Sequence, residues 1–380
     1  MDFKMKKTLA ALAVLGAFAG SAMAADVTLY GAVDTGFEYI HTKSTGEKGV
    51  DTFDMQTGWD TPSRWGLKGS EDLGNGYKVS FKLESGFNSD DGTMGQSNRL
   101  FGREAGLTLS GPFGSVAFGR FGGISSSAGT YDMLGYVESF DGGDGNVWGF
   151  ASSSRYDNMV VYQTPRFAGL QLTAQYSFKT DTKEGDTVGA DDKPQYNGDE
   201  GTSHAQRYAS VGLSGEYGPA SFAVGYELTK YGANTNGARA LDKDGQLVFV
   251  GGNYDFEVVQ LFAEAQYFKH QTAINAGDDA TAELGLGKLG LKGYGLHLGA
   301  AAPLAGGTLT AGLYYVDLSE EAVDQADEDA KYYGVSARYN YPLSERTSLY
   351  AGAGYGQLKD DDSGNKDQLT QVYCGLVHTF

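Results

Sequence analysis

The chain has 380 residues, of which 57 are glycine, 25 tyrosine and 20 phenylalanine but only 7 proline, and its formal charge is −19. This composition excludes a collagen-like repeat, an aromatic-poor disordered chain and, for want of basic surface, a nucleic-acid partner. No apolar run of about 18 residues follows the N-terminal segment, and the single cysteine, Cys374, offers neither an intramolecular disulfide nor a zinc pattern.

Residues 1–24 read as an export signal. Lys4, Lys6 and Lys7 form a basic start, Leu9 to Ala19 an apolar centre, and Ala22-Met23-Ala24 a small-x-small cleavage site. A short buried helix would leave the basic flank and the Ala-x-Ala ending without a reason. Met5 opens a complete signal by itself, so the start stays open between Met1 and Met5. Removing residues 1–24 takes away those three lysines and Asp2, which leaves 26 basic and 47 acidic residues, a net of −21.

From Val27 onward the chain keeps a period of two. Val27, Leu29, Val33, Phe37 and Tyr39 alternate with Thr28, Asp34 and Glu38. Tyr77, Val79, Phe81, Leu83 and Phe87 alternate with Lys78, Ser80, Lys82 and Glu84, and Leu170 to Phe178 repeats the pattern. Successive strand side chains point to opposite faces, so each segment carries one apolar and one polar face. A soluble sandwich shows the same alternation. Segments of roughly 10–13 residues fit tilted membrane strands better than sandwich strands of about 5–6.

Connection lengths alternate as well. Short turns are expected at Glu71–Gly76, Ser110–Gly114, Thr164–Gly169, Gly218-Pro219, Tyr254–Phe256, Pro303–Gly307 and Pro342–Arg346. Long polar loops are expected over 41–52, 88–97, 121–154, 180–203, 232–244, 271–289, 319–329 and 359–367. These connections predict sixteen antiparallel strands in a transmembrane barrel, with short turns on the periplasmic side and long loops outside. Aromatics near strand ends on the apolar face form interfacial girdles: Tyr39, Phe87, Phe178, Tyr226, Tyr267, Tyr315, Tyr341 and Phe380. Two stretches, Leu247–Val250 and Met159–Tyr162, are apolar on both parities; they face a neighbouring subunit or contain a bulge.

Val27-Thr28-Leu29-Tyr30-Gly31-Ala32-Val33-Asp34 resembles the first strand of Gram-negative general porins. Ser63 to Gly76 is similar to their second strand and first periplasmic turn, and Arg103-Glu104-Ala105, Leu107–Gly111, Phe118-Gly119-Arg120 and Asn158–Pro165 continue the match. Gly375 to Phe380 resembles the terminal strand with its final phenylalanine, closest to the betaproteobacterial branch, which usually has a basic residue where Val377 stands. The resemblance implies a water-filled channel for small hydrophilic solutes and ions in the outer membrane. It further implies a homotrimer in contact with lipopolysaccharide, and Phe380 as a signal read by the barrel-assembly machinery.

A barrel of this size is too wide to fill with side chains, so function lies where it narrows. The loop Phe121–Ser154, 34 residues long, follows the fifth strand, the position of the porin constriction loop. It carries Asp132, Glu138, Asp141 and Asp144. The family pattern sets arginines on the opposite wall, here Arg64, Arg103 and Arg155, with Arg120 at the start of the loop. Strict alternation places Arg103 on the lipid-facing parity of Leu107 and Leu109, so a bulge or an earlier strand end is required there. Arginines in the pore favour anions, whereas the acids of the outer loops, six of them in 319–329, favour cations at the mouth. No cofactor or metal is expected; Asp141-Gly142-Gly143-Asp144 is not a calcium-loop spacing.

A barrel hydrolase is the rival from another class. The five histidines, His41, His204, His270, His297 and His378, are scattered, with no Gly-x-Ser-x-Gly or His-Glu-x-x-His pattern. A substrate-specific channel would show a ladder of aromatics or arginines along the lumen, whereas the polar faces here are mixed.

Overall fold

The computed structural model describes residues 26–127, 129–140, 144–183, 187–188, 194–195, 198–233, 239, 241–274, 289–321 and 328–380. The expected export signal over 1–24 and the expected constriction residue Asp141 lie outside the described residues.

The alternating segments form strands, each hydrogen-bonded antiparallel to the next. In chain order β1 is Thr28–Ser44, and β2 runs in two pieces, Val50–Thr57 and Arg64–Gly74. Then come β3 (Tyr77–Gly86), β4 (Glu104–Gly111), β5 (Gly114–Gly122), β6 (Arg155–Gln163) and β7 (Leu170–Ser177). The middle of the wall is β8 (Arg207–Tyr217), β9 (Ala220–Lys230), β10 (Gly245–Asp255), β11 (Gln260–Gln271) and β12 (Leu291–Leu304). The last four are β13 (Gly307–Glu320), β14 (Glu328–Ser344), β15 (Thr347–Asp360) and β16 (Lys366–Thr379). β16 returns to β1, pairing Val33 with His378 and Phe37 with Cys374, which closes a barrel of sixteen strands. Closure gives every strand two neighbours, so no edge of unpaired backbone faces lipid.

The outer face is the apolar one. Leu29, Val33 and Phe37 on β1, Leu296 and Leu298 on β12, and Leu349 on β15 are all exposed. Tyr39, Phe178, Tyr226, Tyr267, Tyr341 and Phe380 stand exposed with them. Phe87 departs from the girdle expectation: it lies past the end of β3, bridged to Met94. The short turns sit at one end of the barrel and the long loops at the other, as expected. The first long loop is shorter than the predicted 41–52, because β1 runs to Ser44 and β2 starts at Val50. Polar His41, Thr42 and Lys43 continue the ladder there, since strand pairing does not need the alternation that lipid imposes.

Two segments leave the wall for the interior. One is the long loop after β5. The other breaks β2: Thr57 stands opposite Thr35 and Arg64 opposite Ala32, so residues 58–63 face only two partner positions. Their extra length folds inward onto Asp34, whose Oδ2 accepts from the Asp60 and Thr61 N–H groups at 2.9 and 2.8 Å.

Candidate functional site

The loop Phe121–Ser154 is anchored at its base, where Gly123 N–H donates to the Ser154 carbonyl at 2.9 Å. Beside it the Glu227 carboxylate of β9 accepts from Ser125 N–H at 3.0 Å, the Ser153 hydroxyl at 3.0 Å and the Tyr208 hydroxyl at 2.8 Å. From there the loop runs along the inner wall. Ile124, Met133, Leu134 and Val137 pack into one buried cluster with Ala223, Leu247 and Phe249 of β9 and β10. Further on, the Ser139 hydroxyl donates to the Ala311 carbonyl at 3.0 Å, and a tight turn at Gly145–Val147 forms the tip. The Tyr332 hydroxyl of β14 donates to the Val147 carbonyl at 2.6 Å. A Cβ on Gly334 would stand 2.7 Å from that same oxygen, so the wall needs a glycine here to let the tip approach. The return leg packs Phe150 edge-on against Tyr314 of β13 and hydrogen-bonds Ala151 N–H to Gln266 of β11.

The loop therefore covers the wall from β8 to β16. This accounts for the stretches that are apolar on both parities. Leu247 and Phe249 point inward and are buried under the loop, while Val248 and Val250 point outward. Met159 and Val161 likewise point inward, onto Phe121 and Tyr131, and a bulge at 156–159 shifts the register.

The wall from β2 to β4, with Arg155 at the start of β6, is left with charged side chains. Lys82 and Glu84 of β3, Glu104 of β4 and Arg64 of β2 share the inward parity, since Glu84 lies opposite both Gly66 and Glu104. Lys82 Nζ is 2.8 Å from Glu104 Oε2 and 3.7 Å from Glu84 Oε2. Arg103 Nε donates to Glu84 Oε1 at 2.7 Å, and the Tyr30 hydroxyl to Glu84 Oε2 at 2.8 Å. Arg64 Nε is 3.9 Å from Glu84 Oε2, and Arg155 lies within electrostatic reach of Arg103, Arg120, Glu84 and Glu104. The loop touches this wall near its start, where the Thr130 hydroxyl donates to Glu104 Oε1 at 2.6 Å.

The structure thus brings Arg64, Arg103 and Arg155 together, around Glu104 and around Lys82 and Glu84, which in the sequence show only as the polar half of an alternation. The parity problem at Arg103 resolves through the strand end: β4 begins at Glu104, so Arg103 is free of the alternation and turns its side chain inward onto Glu84. Arg120 lies within reach of Arg155, but its own hydrogen bonds go elsewhere. Its Nε donates to the Gly102 carbonyl at 2.8 Å and its Nη1 to Asp157 at 2.6 Å, in a separate cluster with Arg99 and Asp181.

The acidic loop residues do not line up against the arginines. Asp132 accepts from Ser127 N–H at 3.0 Å, within the loop itself. Glu138 is 2 % exposed and accepts from the Trp148 indole at 3.0 Å; Asp144 is fully buried against Tyr373 and Arg338. Burial pushes the Asp144 carboxyl above the usual range, and the Arg338 guanidinium and Tyr373 hydroxyl pull it back. Asp144 therefore holds the loop to the far wall and Glu138 is bonded within the loop, so neither presents its charge to water.

One histidine meets a serine hydroxyl inside the barrel. His297 Nε2 meets Ser139, but its Nδ1 faces the Leu313 carbonyl at 3.1 Å and Ser139 donates to Ala311, so this pair also docks the loop. His378 lies outside, beside Thr347. Among the described residues no group of three histidine, cysteine or carboxylate side chains is placed to hold a metal. At the C-terminus, Phe380 and Gly31 exchange backbone hydrogen bonds of 3.0 Å, and the Phe380 ring lies over Gly31.

Residues 10–362 match the family model described as Gram-negative porin. An outer-membrane porin protein of Bordetella pertussis is 34% identical, covering 99% of this chain and 100% of its own. Outer membrane porin protein 32 of Delftia acidovorans is 32% identical over 98% of this chain and 95% of its own. Among solved structures, the anion-selective porin from Comamonas acidovorans superposes with a TM-score of 0.68 at 25% identity, covering 94% of this chain and 100% of that one. The chain belongs to the Gram-negative porin family.

Proposed function

We propose that this channel prefers anions. As a porin it is an outer-membrane channel for the passive diffusion of small hydrophilic solutes and ions. The observation behind the preference is the charge balance on the wall left open by the loop. Arg64, Lys82, Arg103 and Arg155 gather there around Glu84 and Glu104, while Glu138 and Asp144 are buried on the other side. A ring of excess positive charge in a narrow aqueous passage concentrates anions and excludes cations. The acidic outer loops act against this at the mouth, but salt screens charge over about 8–10 Å, so they govern entry at low ionic strength. The Comamonas relative is an anion-selective porin, which supports the same direction here.

The test is single-channel recording in a planar bilayer across a salt gradient. The reversal potential takes the sign of anion permeation, and a cation sign overturns the reading. Cleavage after Ala24, a homotrimer, contact with lipopolysaccharide and recognition of Phe380 by the assembly machinery complete the proposal. N-terminal mass measurement and boiling-sensitive migration on gels test the first two.

A further inference from the structure

We infer that Arg338 is a positioning residue that clasps the loop Phe121–Ser154 to the inward segment Gly58–Ser63, closing a ring that fixes the size of the open lumen. This rests on the reading of that loop as the constriction.

Arg338 sits on β14 at the parity of the buried Tyr332 and Ser336, so it points inward. Its guanidinium reaches both inward segments at once. Toward the break in β2, Nε pairs with Asp60 Oδ1 at 3.3 Å and Nη1 donates to the Trp59 carbonyl at 3.1 Å. Toward the loop, Nη1 is 3.6 Å from Asp144 Oδ1, and the guanidinium lies over the Phe140 ring at 5.0 Å. The planar fork and permanent charge of arginine suit one side chain to two carboxylates and a ring face.

Both sides of the clasp are independently built. Asn340 Nδ2 donates to Asp60 Oδ1 at 2.7 Å, and the Trp59 ring stacks on Tyr373 with centroids 5.0 Å apart. Tyr373 donates to Asp144, and Gln371 Nε2 to the Asp144 carbonyl at 3.2 Å. Beneath them the fully buried Asp34 accepts from the Tyr350 hydroxyl at 2.7 Å and from the backbone of the segment. The loop leaves the wall at β5, the segment leaves it at β2, and they meet at Arg338. The water-filled passage is then bounded by β2–β5, the loop and the segment. Its width depends on whether the two free ends stay joined.

The test compares the full-length channel with Arg338→Gln/Asp144→Asn, which removes one charge of each sign and leaves the site's net charge unchanged. The clasp requires a higher single-channel conductance and greater open-channel noise, with the reversal potential at its wild-type value. Asp60→Asn opens the same bridge from the segment side without touching β14, and it must move conductance and noise the same way. It serves alone if the double variant does not give a boiling-sensitive folded band. A folded double variant with wild-type conductance and noise overturns the clasp, as does a shifted reversal potential at unchanged conductance. Thr130→Trp, at the other end of the loop, narrows the channel if the loop bounds the passage at all. Unchanged conductance in that variant overturns the constriction reading itself, so the two failures are told apart.

Discussion

β3 and β10 stand in the same barrel with the same alternation, yet their inward faces are chemically opposite. On β3 the inward residues include Lys82 and Glu84, tied to each other and to Arg103 and Glu104. On β10 they include Leu247 and Phe249, at 2 % and 1 % exposure. What covers each face decides its character. Water fills the passage beside β3, whereas the chain's own loop lies on β10. Burying large apolar side chains contributes about 1.5–3 kcal/mol each, so the covered wall is a docking surface of many such contacts. On the charged wall Glu84, Glu104 and Arg103 are themselves buried, while Lys82 and Arg64 keep contact with solvent. That wall is held by ion pairs whose desolvation offsets much of their attraction and which sustain a strong local field.

The sharpest way to break this contrast is to strip one contact from the covered wall. Phe150→Ala removes a fully buried ring packed on Tyr314 and costs about 3–5 kcal/mol of loop docking. Limited proteolysis will then cut within 121–154 while the boiling-sensitive barrel band persists; a protected loop would show that its docking does not rest on this cluster. The matching change on the open wall is Arg103→Gln. It costs about 1–3 kcal/mol, because Glu84 keeps Tyr30, Lys82 and Arg64 as partners. Its main effect is a reversal potential displaced toward cations, with the loop still protected. If Arg103→Gln leaves selectivity where it was, the field does not come from this wall.

The barrel was legible because lipid imposes one rule on every strand, and the turn residues punctuate it. The inner wall obeys no single rule. Leu247–Val250 read equally as a bulge or a subunit contact, and the covering loop was invisible from a local pattern. Strict alternation set Arg103 on the lipid parity, and of the two ways out, a bulge or an earlier strand end, the strand end at Glu104 is the one found. Gly58 and Pro62 inside an alternating run were the available sign of the inward segment. Arg338 gave no sign at all: it occupies an ordinary polar position, and its partner Trp59 is 279 residues away along the chain. Contacts of that range come from closing the barrel, not from local spacing.

Smaller changes probe the ends of the molecule, away from both walls. The Phe380 ring lies over Gly31 and is 45 % exposed, so Phe380→Ala removes only part of a ring's burial, about 1 kcal/mol. Stability in lipid vesicles should change little. A large fall in barrel yield in cells, against near-normal refolding into vesicles, identifies the ring as an assembly signal; equal yields in both reduce it to a girdle residue. The least effect is expected at the long-loop end. Lys331 and Lys359, the latter at 2.7 Å, hold Asp361 in an arrangement that resembles the Arg338 clasp. Their hydrogen bonds hold the Asp361 carboxyl below the usual carboxylate range. A depressed value means that the contribution is present above the unfolded pKa of about 3.9 and is lost as pH falls through the folded one. In a carboxyl-carbon titration by NMR, Lys359→Gln will move the Asp361 midpoint up, and added salt will do the same by screening. An unmoved midpoint removes Lys359 as the cause. Conductance should follow neither change, because this bridge joins two neighbouring strands that are already paired, whereas Arg338 joins two segments that have left the wall.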